Sequence, residues 1–327
     1  MIRRTFGKVA ITALAAVFTP LAAHAADDDY PSRTVKIVVP FAPGGSTDVV
    51  ARILAEKLGA ELKQSFIVDN RPGAGGNIGA DVVAKSGADG YTLLMGTTGV
   101  LAINGHLYKN MPFDPDKDFT PVSYTSLITN ILVVNPDVPV RTVPELVRLA
   151  KSKPGALTFA SSGAGSSTHL SGELFKALAG VEILHVPYRG SSQALIDVIS
   201  GQVTMLFDNA PSSLPFVQQG KLRALAVTSA RRLSNLPEVP TIDESGVKGY
   251  ESLSWSGIVA PAGTPRAIVN KLNAAIERIL AMEDVKQRFA SMGVEPVGGP
   301  PEAFARHVRA ESDKWGRLIK TANITLN

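Results

Sequence analysis

Three apolar runs in this chain end in loops of glycine, serine and threonine, and two of those loops open straight into residues with helical spacing. The runs are VKIVVPF before Pro43-Gly44-Gly45-Ser46-Thr47-Asp48, YTLLM before Gly96-Thr97-Thr98-Gly99, and ALTFAS before the loop from Ser161 to Thr168. A run that is apolar on both faces must be covered on both faces, so strands of this kind alternate with helices in a mainly parallel α/β sheet. Ligands in open sheets of this type sit beyond the carboxyl ends of the strands, where all three loops fall.

The rhythm runs on either side of one interruption. After the first loop, Val49, Val50, Ile53, Leu54 and Leu58 recur at helical spacing; SFIVDN then predicts a strand, NRPGAGGN a turn with Asn77 capping the next helix, and IGADVVAKS that helix. The section DFTPVSYTSLITNILVVNPDVPV gives one long extended run bounded by Pro121, Pro136 and Pro139, which we read as a crossing between two α/β units. Thr142 is the expected N-cap of the helix that follows, with Pro144 and Glu145 in its first turn. Strands at ALTFAS, VEILHVP, VTMLFDN and KLRALAVTS make up the second unit, and YESLSWSGIVAP, from Tyr250 to Pro261, reads as the return crossing. Helices are expected from Pro265 to Ala281, from Val285 to Ala290 and from Pro301 to about Lys320. The expected division is residues 26–130 and 252–327 in one lobe and 131–251 in the other, with a cleft and a hinge of two extended crossings. A single continuous sheet is the alternative.

The N-terminus reads as an export signal occupying residues 1–25. Arg3, Arg4 and Lys8 precede an apolar run from Val9 to Ala23, and Ala23-His24-Ala25 supplies a small-residue cleavage site. The run is too short for a membrane anchor and contains Thr12, Thr19 and Pro20. Arg3-Arg4 also fits a twin-arginine signal, which leaves the Sec and twin-arginine routes both open. The expected destination is the periplasm. The chain has no cysteine, so disulfides, thiolate metal ligation and cysteine catalysis are excluded, and its length allows a core that needs no covalent staples. Of 33 basic and 29 acidic residues, three basic ones and no acid lie in the signal, so the exported chain is close to neutral and no nucleic-acid partner is expected.

Taken singly, each loop fits ordinary capping, for which Ser46 or Thr47 and Ser166 or Ser167 are suitable residues. Two helix N-termini facing one another across a cleft would instead hold an anion with no arginine or lysine, because their unpaired N–H groups carry about half a positive charge. Asp48 reads as a structural first-turn acid. Tyr188 falls where its hydroxyl could meet a ligand, Arg189 reads as half of a surface ion pair, and Asp208 stands either to accept a ligand ammonium or to cap a loop.

Catalytic patterns are poorly represented. His106, His169, His185 and His307 lack the i, i+4 spacing of a helical metal pair, and no metal or other cofactor is expected. Thr168 stands where a dinucleotide fingerprint needs its third glycine, no Gly-Lys-Ser/Thr phosphate loop occurs, and Ser166 and Ser167 are not framed as Gly-x-Ser-x-Gly. The catalytic alternative is a secreted hydrolase or isomerase with Ser167 as nucleophile and His169 as base. His169 falls in the first turn of the same helix, where it is expected to pack or cap.

VPFAPGGSTDVVAR (39–52), VDNRPGAGGNIGAD (68–81), SSGAGSSTHLSGELF (161–175), HVPYRGSSQALIDVISGQVTMLFDN (185–209) and LPEVPTIDESG (236–246) together resemble the Bug-type extracytoplasmic solute receptors of tripartite tricarboxylate transporters. The resemblance implies a two-lobed, Venus-flytrap periplasmic binding protein of type II-like α/β fold, which closes on a small carboxylated solute and delivers it to membrane permease subunits. It also implies a site of backbone amides and small hydroxyls rather than an enzyme's, and a monomer. On that basis Phe41, Pro43, Gly44, Gly45, Ser46, Thr47, Thr97 and Thr98 are expected to hold the solute from the first lobe. Gly163, Gly165, Ser166, Ser167 and Thr168 are expected to close over it, with Tyr188 lining the pocket and Asp208 reading a substituent. A sensory binding protein with the same closure would differ only in its downstream partner.

Overall fold

The computed structural model describes residues 2, 30–321 and 324–326, and the described residues from 31 onward form one compact unit. The signal reading, with Arg3, Arg4 and the cleavage site, lies outside the described residues. From the N-terminal side the elements are β1 (Val35–Val39), α1 (Ser46–Leu62), β2 (Phe66–Asn70), a 3-10 turn (Ala74–Gly76), α2 (Asn77–Ala84) and β3 (Thr92–Thr97). A π-helical turn (Gly99–Ile103) leads through α3 (Asn104–Leu107) to the 16-residue strand β4 (Phe119–Val134). Next come α4 (Val143–Ser152), β5 (Thr158–Ser161), α5 (Ser167–Ala179), β6 (Leu184–Pro187), α6 (Ser191–Ile199), β7 (Met205–Asn209), α7 (Ala210–Gln218) and β8 (Arg223–Val227). The chain ends with β9 (Leu253–Pro261), α8 (Arg266–Ala281), α9 (Glu283–Ser291), β10 (Val294–Pro296) and α10 (Pro301–Thr321).

The strands follow one hydrogen-bonded path, β2-β1-β3-β9-β4-β7-β5-β6, with β8 and β10 also paired to β4. Within it are two parallel sets, β2-β1-β3 and β6-β5-β7, each built by the strand–helix alternation of the sequence. They are joined by antiparallel pairing to the long strands. β9 pairs with β3 of the first set, and β4 completes the join: residues 119–129 pair with β9, and residues 130–134 pair with β7 and β8. The two-unit and single-sheet alternatives thus merge, because the paired crossings join both sets. The return crossing is β9, which inserts between β3 and β4.

Local chemistry explains most of the boundaries. β1 and β3 are buried apart from Lys36 and Thr92, as their mainly apolar character requires; Ile37, Val38, Leu93 and Leu94 have no exposed surface. Thr142 caps α4 by accepting from Glu145 N–H at 3.3 Å, while the Glu145 carboxylate accepts from Arg141 N–H at 2.6 Å. Burial of Trp255, Trp315, Phe304 and Tyr124 in one aromatic cluster seats α10 against β4 and β9. α8 and α9 reach back to α1 through the pairs Arg278–Glu61 and Arg288–Glu56. Asn77 departs from the capping expectation: it is the first residue of α2, the N-cap is Gly76, and the Asn77 Oδ1 accepts from Asn104 Nδ2 at 2.7 Å. The 3-10 turn before it leaves Asn77 inside the helix, so its side chain is free to tie two loops together.

Candidate functional site

The N-termini of α1, α5 and α6 converge on one place. The first is left open, because its N-cap is Gly45 and no side chain caps it. Ser46 and Thr47 are therefore not caps but the first two helical residues, with hydroxyls that make no hydrogen bond among the described residues. α6 has the same arrangement, with Gly190 as an uncapped N-cap and Ser191 as the first residue. α5 differs, since Ser166 caps it by accepting from His169 N–H at 3.2 Å, and Ser167 follows as the first residue. Asp48 supports the α1 end. It accepts from Gly44 N–H, Arg52 and Asn70, and although burial opposes ionisation, these bonds hold its carboxyl below the usual range.

These ends open on a chamber whose walls come from three directions. Phe41, Gly45, Ser46, Thr47 and Thr97 form one side; Ser162, Ser167, Ser191 and Asn209 face them; Ile128, Ser254, Trp255 and Ser256 of the two crossing strands close the floor. The chamber holds about 460 Å³ of atom-free space, mouth included. No acidic or basic side chain lines it. Thr97 Oγ1 is a buried hydroxyl with no partner among the described residues, so a group bonded there would relieve the cost of burying it. Ser254 is placed to donate to Ser167 at 2.7 Å or to Asn130 Oδ1 at 2.9 Å. An array of open helix ends and small hydroxyls, without a fixed cation, suits an anion.

Six of the sequence-expected residues line the chamber: Phe41, Gly45, Ser46, Thr47, Thr97 and Ser167. The others stand outside its lining. Thr98 is fully buried and uses its hydroxyl on the backbone of Trp255, accepting from N–H at 2.9 Å and facing the carbonyl at 3.3 Å. Asp208 sits behind Ser191, accepting from Ser191 at 2.5 Å and Ser212 at 2.5 Å, and burial pushes its carboxyl up to about 6. It therefore meets no solute directly; Ser191 presents oxygen lone pairs to the chamber because its hydrogen is given to Asp208. Tyr188 lines a neighbouring chamber and donates to Asp197 at 2.5 Å. Ser166 and Thr168 hold the loop together, Ser166 donating to Gly163 O at 2.6 Å and Thr168 accepting from Ser162 N–H at 2.9 Å.

Pro43, Gly44, Gly163 and Gly165 belong to the rims. Ser192 donates to Pro43 O at 2.6 Å, Ala42 N–H to Arg189 O at 3.2 Å, and Tyr108 to Ala164 O at 2.8 Å. Backbone meets backbone along this seam. A Cβ on Gly75, at φ +63°, would lie 2.1 Å from Ala164 O, and one on Gly99 would lie 2.9 Å from Gly165 O. Sequence reading placed the 161–168 loop at the site without singling out Ser162, and it missed Ser191, Asn209, Ile128, Ser254, Trp255 and Ser256. The last four lie on the crossing strands, where the alternation Ser252, Ser254, Ser256 in an apolar run is the available signal.

The catalytic alternative finds no support in the geometry. His169 Nδ1 accepts from Gly165 N–H at 3.1 Å and its Nε2 stands 3.8 Å from Glu173, so the ring does not serve as a base for Ser167. It stacks instead on His185, with ring centroids 4.0 Å apart, and His185 stacks on Phe159 at 4.8 Å. Ser161 accepts from Gly163 N–H at 3.2 Å and shares a hydrogen bond of 2.6 Å with His185 Nε2. Both rings thus brace the 161–165 loop. Burial lowers His169 to about 3 and His185 to about 4, helped by Lys176 and, for His169, by the other ring. Among the described residues no group of histidines and acids is placed to hold a metal ion, and no helix is long and apolar enough to cross a membrane.

Residues 50–324 match the family described as "Tripartite tricarboxylate transporter family receptor". The chain is 38% identical to Protein BugT of Bordetella pertussis, with 94% of each chain covered. Among solved structures, it is similar to R. palustris Rpa4515 with adipate, at 45% identity and a TM-score of 0.89 over 91% of this chain and 99% of that one. It is also similar to MatC (Rpa3494) from Rhodopseudomonas palustris with bound malate, at 34% identity and a TM-score of 0.85 over 89% and 100%.

Proposed function

This chain belongs to the tripartite tricarboxylate transporter receptors of the Bug type, and from that premise we propose that it captures a small carboxylate in the chamber at the ends of α1, α5 and α6. The carrying observation is the convergence of three helix N-termini, two of them uncapped, on walls that contain hydroxyls but no charged side chain. One carboxylate group takes its hydrogen bonds from the free N–H groups of these ends and from Ser46, Thr47, Thr97 and Ser167. That the relatives crystallised with adipate and malate hold carboxylates supports this choice of anion.

The lobes of this reading are residues 26–130 with 252–327, and 131–251. Solute that touches both walls binds the closed arrangement better than an open one, so it shifts the hinge toward closure. The leader of residues 1–25 sends the protein to the periplasm, where it works as a monomer and hands solute to the permease subunits of its transporter. It performs no chemistry on the solute.

Calorimetry of the exported chain with short carboxylates, followed by analysis of the solute, tests this. Saturable binding with full recovery of the unaltered acid is expected, and Ser167→Leu, which fills the chamber, should abolish the heat while the variant melts cooperatively. Turnover of the acid, or undiminished binding in Ser167→Leu, would overturn the reading.

A further inference from the structure

We propose that Asp208 takes up a proton when a carboxylate enters the chamber, so that the site binds its solute as an anion together with one proton. The proposal rests on the receptor reading above and adds to it a positioning residue, one that touches no solute and acts through Ser191.

The Ser191 hydroxyl faces the wrong way for an anion. Ser191 is the first residue of α6 and lines the chamber, where a carboxylate needs donors. Its hydrogen goes instead to Asp208 Oδ1 at 2.5 Å, which leaves oxygen lone pairs toward the solute. Asp208 has no exposed surface, and its other donors are the Ser212 hydroxyl, 2.5 Å from Oδ2, and the Asn209 N–H.

No cation balances this carboxylate. The elements packed most closely on its strand are β4, β5, α5, α6 and α7. β5 and α7 carry no titratable side chain, and the one on β4 is Tyr124, which stacks on Phe304 and His307. On α5, His169 accepts from Gly165 N–H and Glu173 pairs with Lys176; on α6, Asp197 accepts from Tyr188. Among the described residues, then, only hydroxyls and a backbone amide bond to Asp208.

A carboxylate bonded at Ser191 stands two hydrogen bonds from Asp208, roughly 5 Å between oxygens. Two negative charges at that spacing, behind walls that carry no charged side chain, oppose each other's ionisation. The open helix ends hold the solute ionised, so Asp208 is the group that yields. Burial already pushes its carboxyl up to about 6 before any solute arrives, and a modest further rise protonates it near neutral pH. The proton comes from solution and settles on Oδ1. The carboxyl then donates to Ser191 Oγ, and the Ser191 hydrogen turns into the chamber onto the solute, while Oδ2 keeps its bond from Ser212. One proton thus removes a charge and reverses a hydrogen bond.

The test is isothermal titration with the tightest binder of a panel containing adipate, malate, succinate and butyrate, all fully ionised at pH 7 to 8, in two buffers of different ionisation heat. For the wild type we expect uptake of roughly one proton per solute at pH 7, and an affinity that falls by up to about tenfold per pH unit above it. A protonated-carboxyl band should appear in the infrared difference spectrum on binding. Asp208→Asn places an uncharged amide whose N–H donates to Ser191 as the protonated acid does. That variant should bind without proton uptake or the band, with an affinity constant from pH 7 to 8 and at least equal to the wild type's at pH 8. Wild-type binding without proton uptake or without the band, measurements that need no variant to fold, would overturn the proposal and leave the receptor reading intact. So would uptake that persists in Asp208→Asn. Failure of the wild type to bind any acid of the panel would overturn both.

Discussion

Thr97 and Thr98 are adjacent and chemically identical, yet the fold gives them opposite tasks. Thr97 turns a buried hydroxyl, without a partner among the described residues, into the chamber, whereas Thr98 spends its hydroxyl on the backbone of Trp255. Thr97→Val is expected to weaken solute affinity by roughly tenfold and leave stability nearly unchanged, as isothermal titration and urea unfolding would report. Thr98→Val should lower unfolding free energy by about 1–3 kcal/mol, because it leaves a buried backbone group unsatisfied. The reverse pattern would show that the two residues are misassigned. Both threonines are equally legible in Gly96-Thr97-Thr98-Gly99, since a sequence marks the loop but not which side chain turns inward. Asp208 illustrates the same limit: its place at a strand end is evident, but only the tertiary register sets it behind Ser191.

The histidine pair gives a residue-scale prediction about pH. Both rings fold in the neutral state, with values lowered from 6.5 to about 3 for His169 and about 4 for His185, so the unfolded chain binds more protons below pH 6.5. Their contribution to stability is present above that pH and is lost as pH falls toward the folded values, at about 1.4 kcal/mol per unit for each ring. Asp208 works in the other direction. Its value is raised from 3.8 to about 6, so its contribution is present at low pH and lost as pH rises through 6. The two histidines outweigh the single carboxyl, and unfolding free energy should fall between pH 6.5 and 5. His185→Phe should flatten that slope; a slope unchanged by the substitution would exclude the pair as its source.

At the scale of elements, the loops matter because the helices after them begin without side-chain caps. A glycine at the N-cap of α1 and of α6 leaves the helix end open to a ligand, while Ser166 at α5 stiffens its own loop. Strand–loop–helix order could be read from apolar runs and glycines because those signals are local. The rims could not, since the approach of Gly75 to Ala164 and of Gly99 to Gly165 joins segments far apart in sequence. Gly75→Val places a branched side chain where the carbonyl of Ala164 stands and forces an unfavourable positive φ. It is expected to hold the rims apart, weakening affinity at least tenfold and enlarging the radius of gyration in small-angle scattering with solute present. Wild-type affinity and dimensions would show that the seam does not govern closure.

For the whole molecule, the decisive feature is that two α/β sets are joined through one antiparallel pair of long strands, β9 and β4. β4 was recognisable as a long extended run between prolines, and β9 as a second, but nothing local in either announces that they pair with one another and jointly floor the chamber. Ile128, Ser254, Trp255 and Ser256 enter the site through that pairing alone. The strands that join the halves are thus the strands that floor the chamber.

The central claim is that open helix ends, not charged side chains, select a carboxylate. It is tested most directly by the melting temperature of the exported protein, freed of carried-over solute, with a panel of small carboxylates and their matched amides. An acid at about 100 times its dissociation constant should add about 2.7 kcal/mol, a rise of several degrees, while the neutral amide of the same shape adds little. Equal shifts with acid and amide, or no shift with any acid in protein that melts cooperatively, would contradict it.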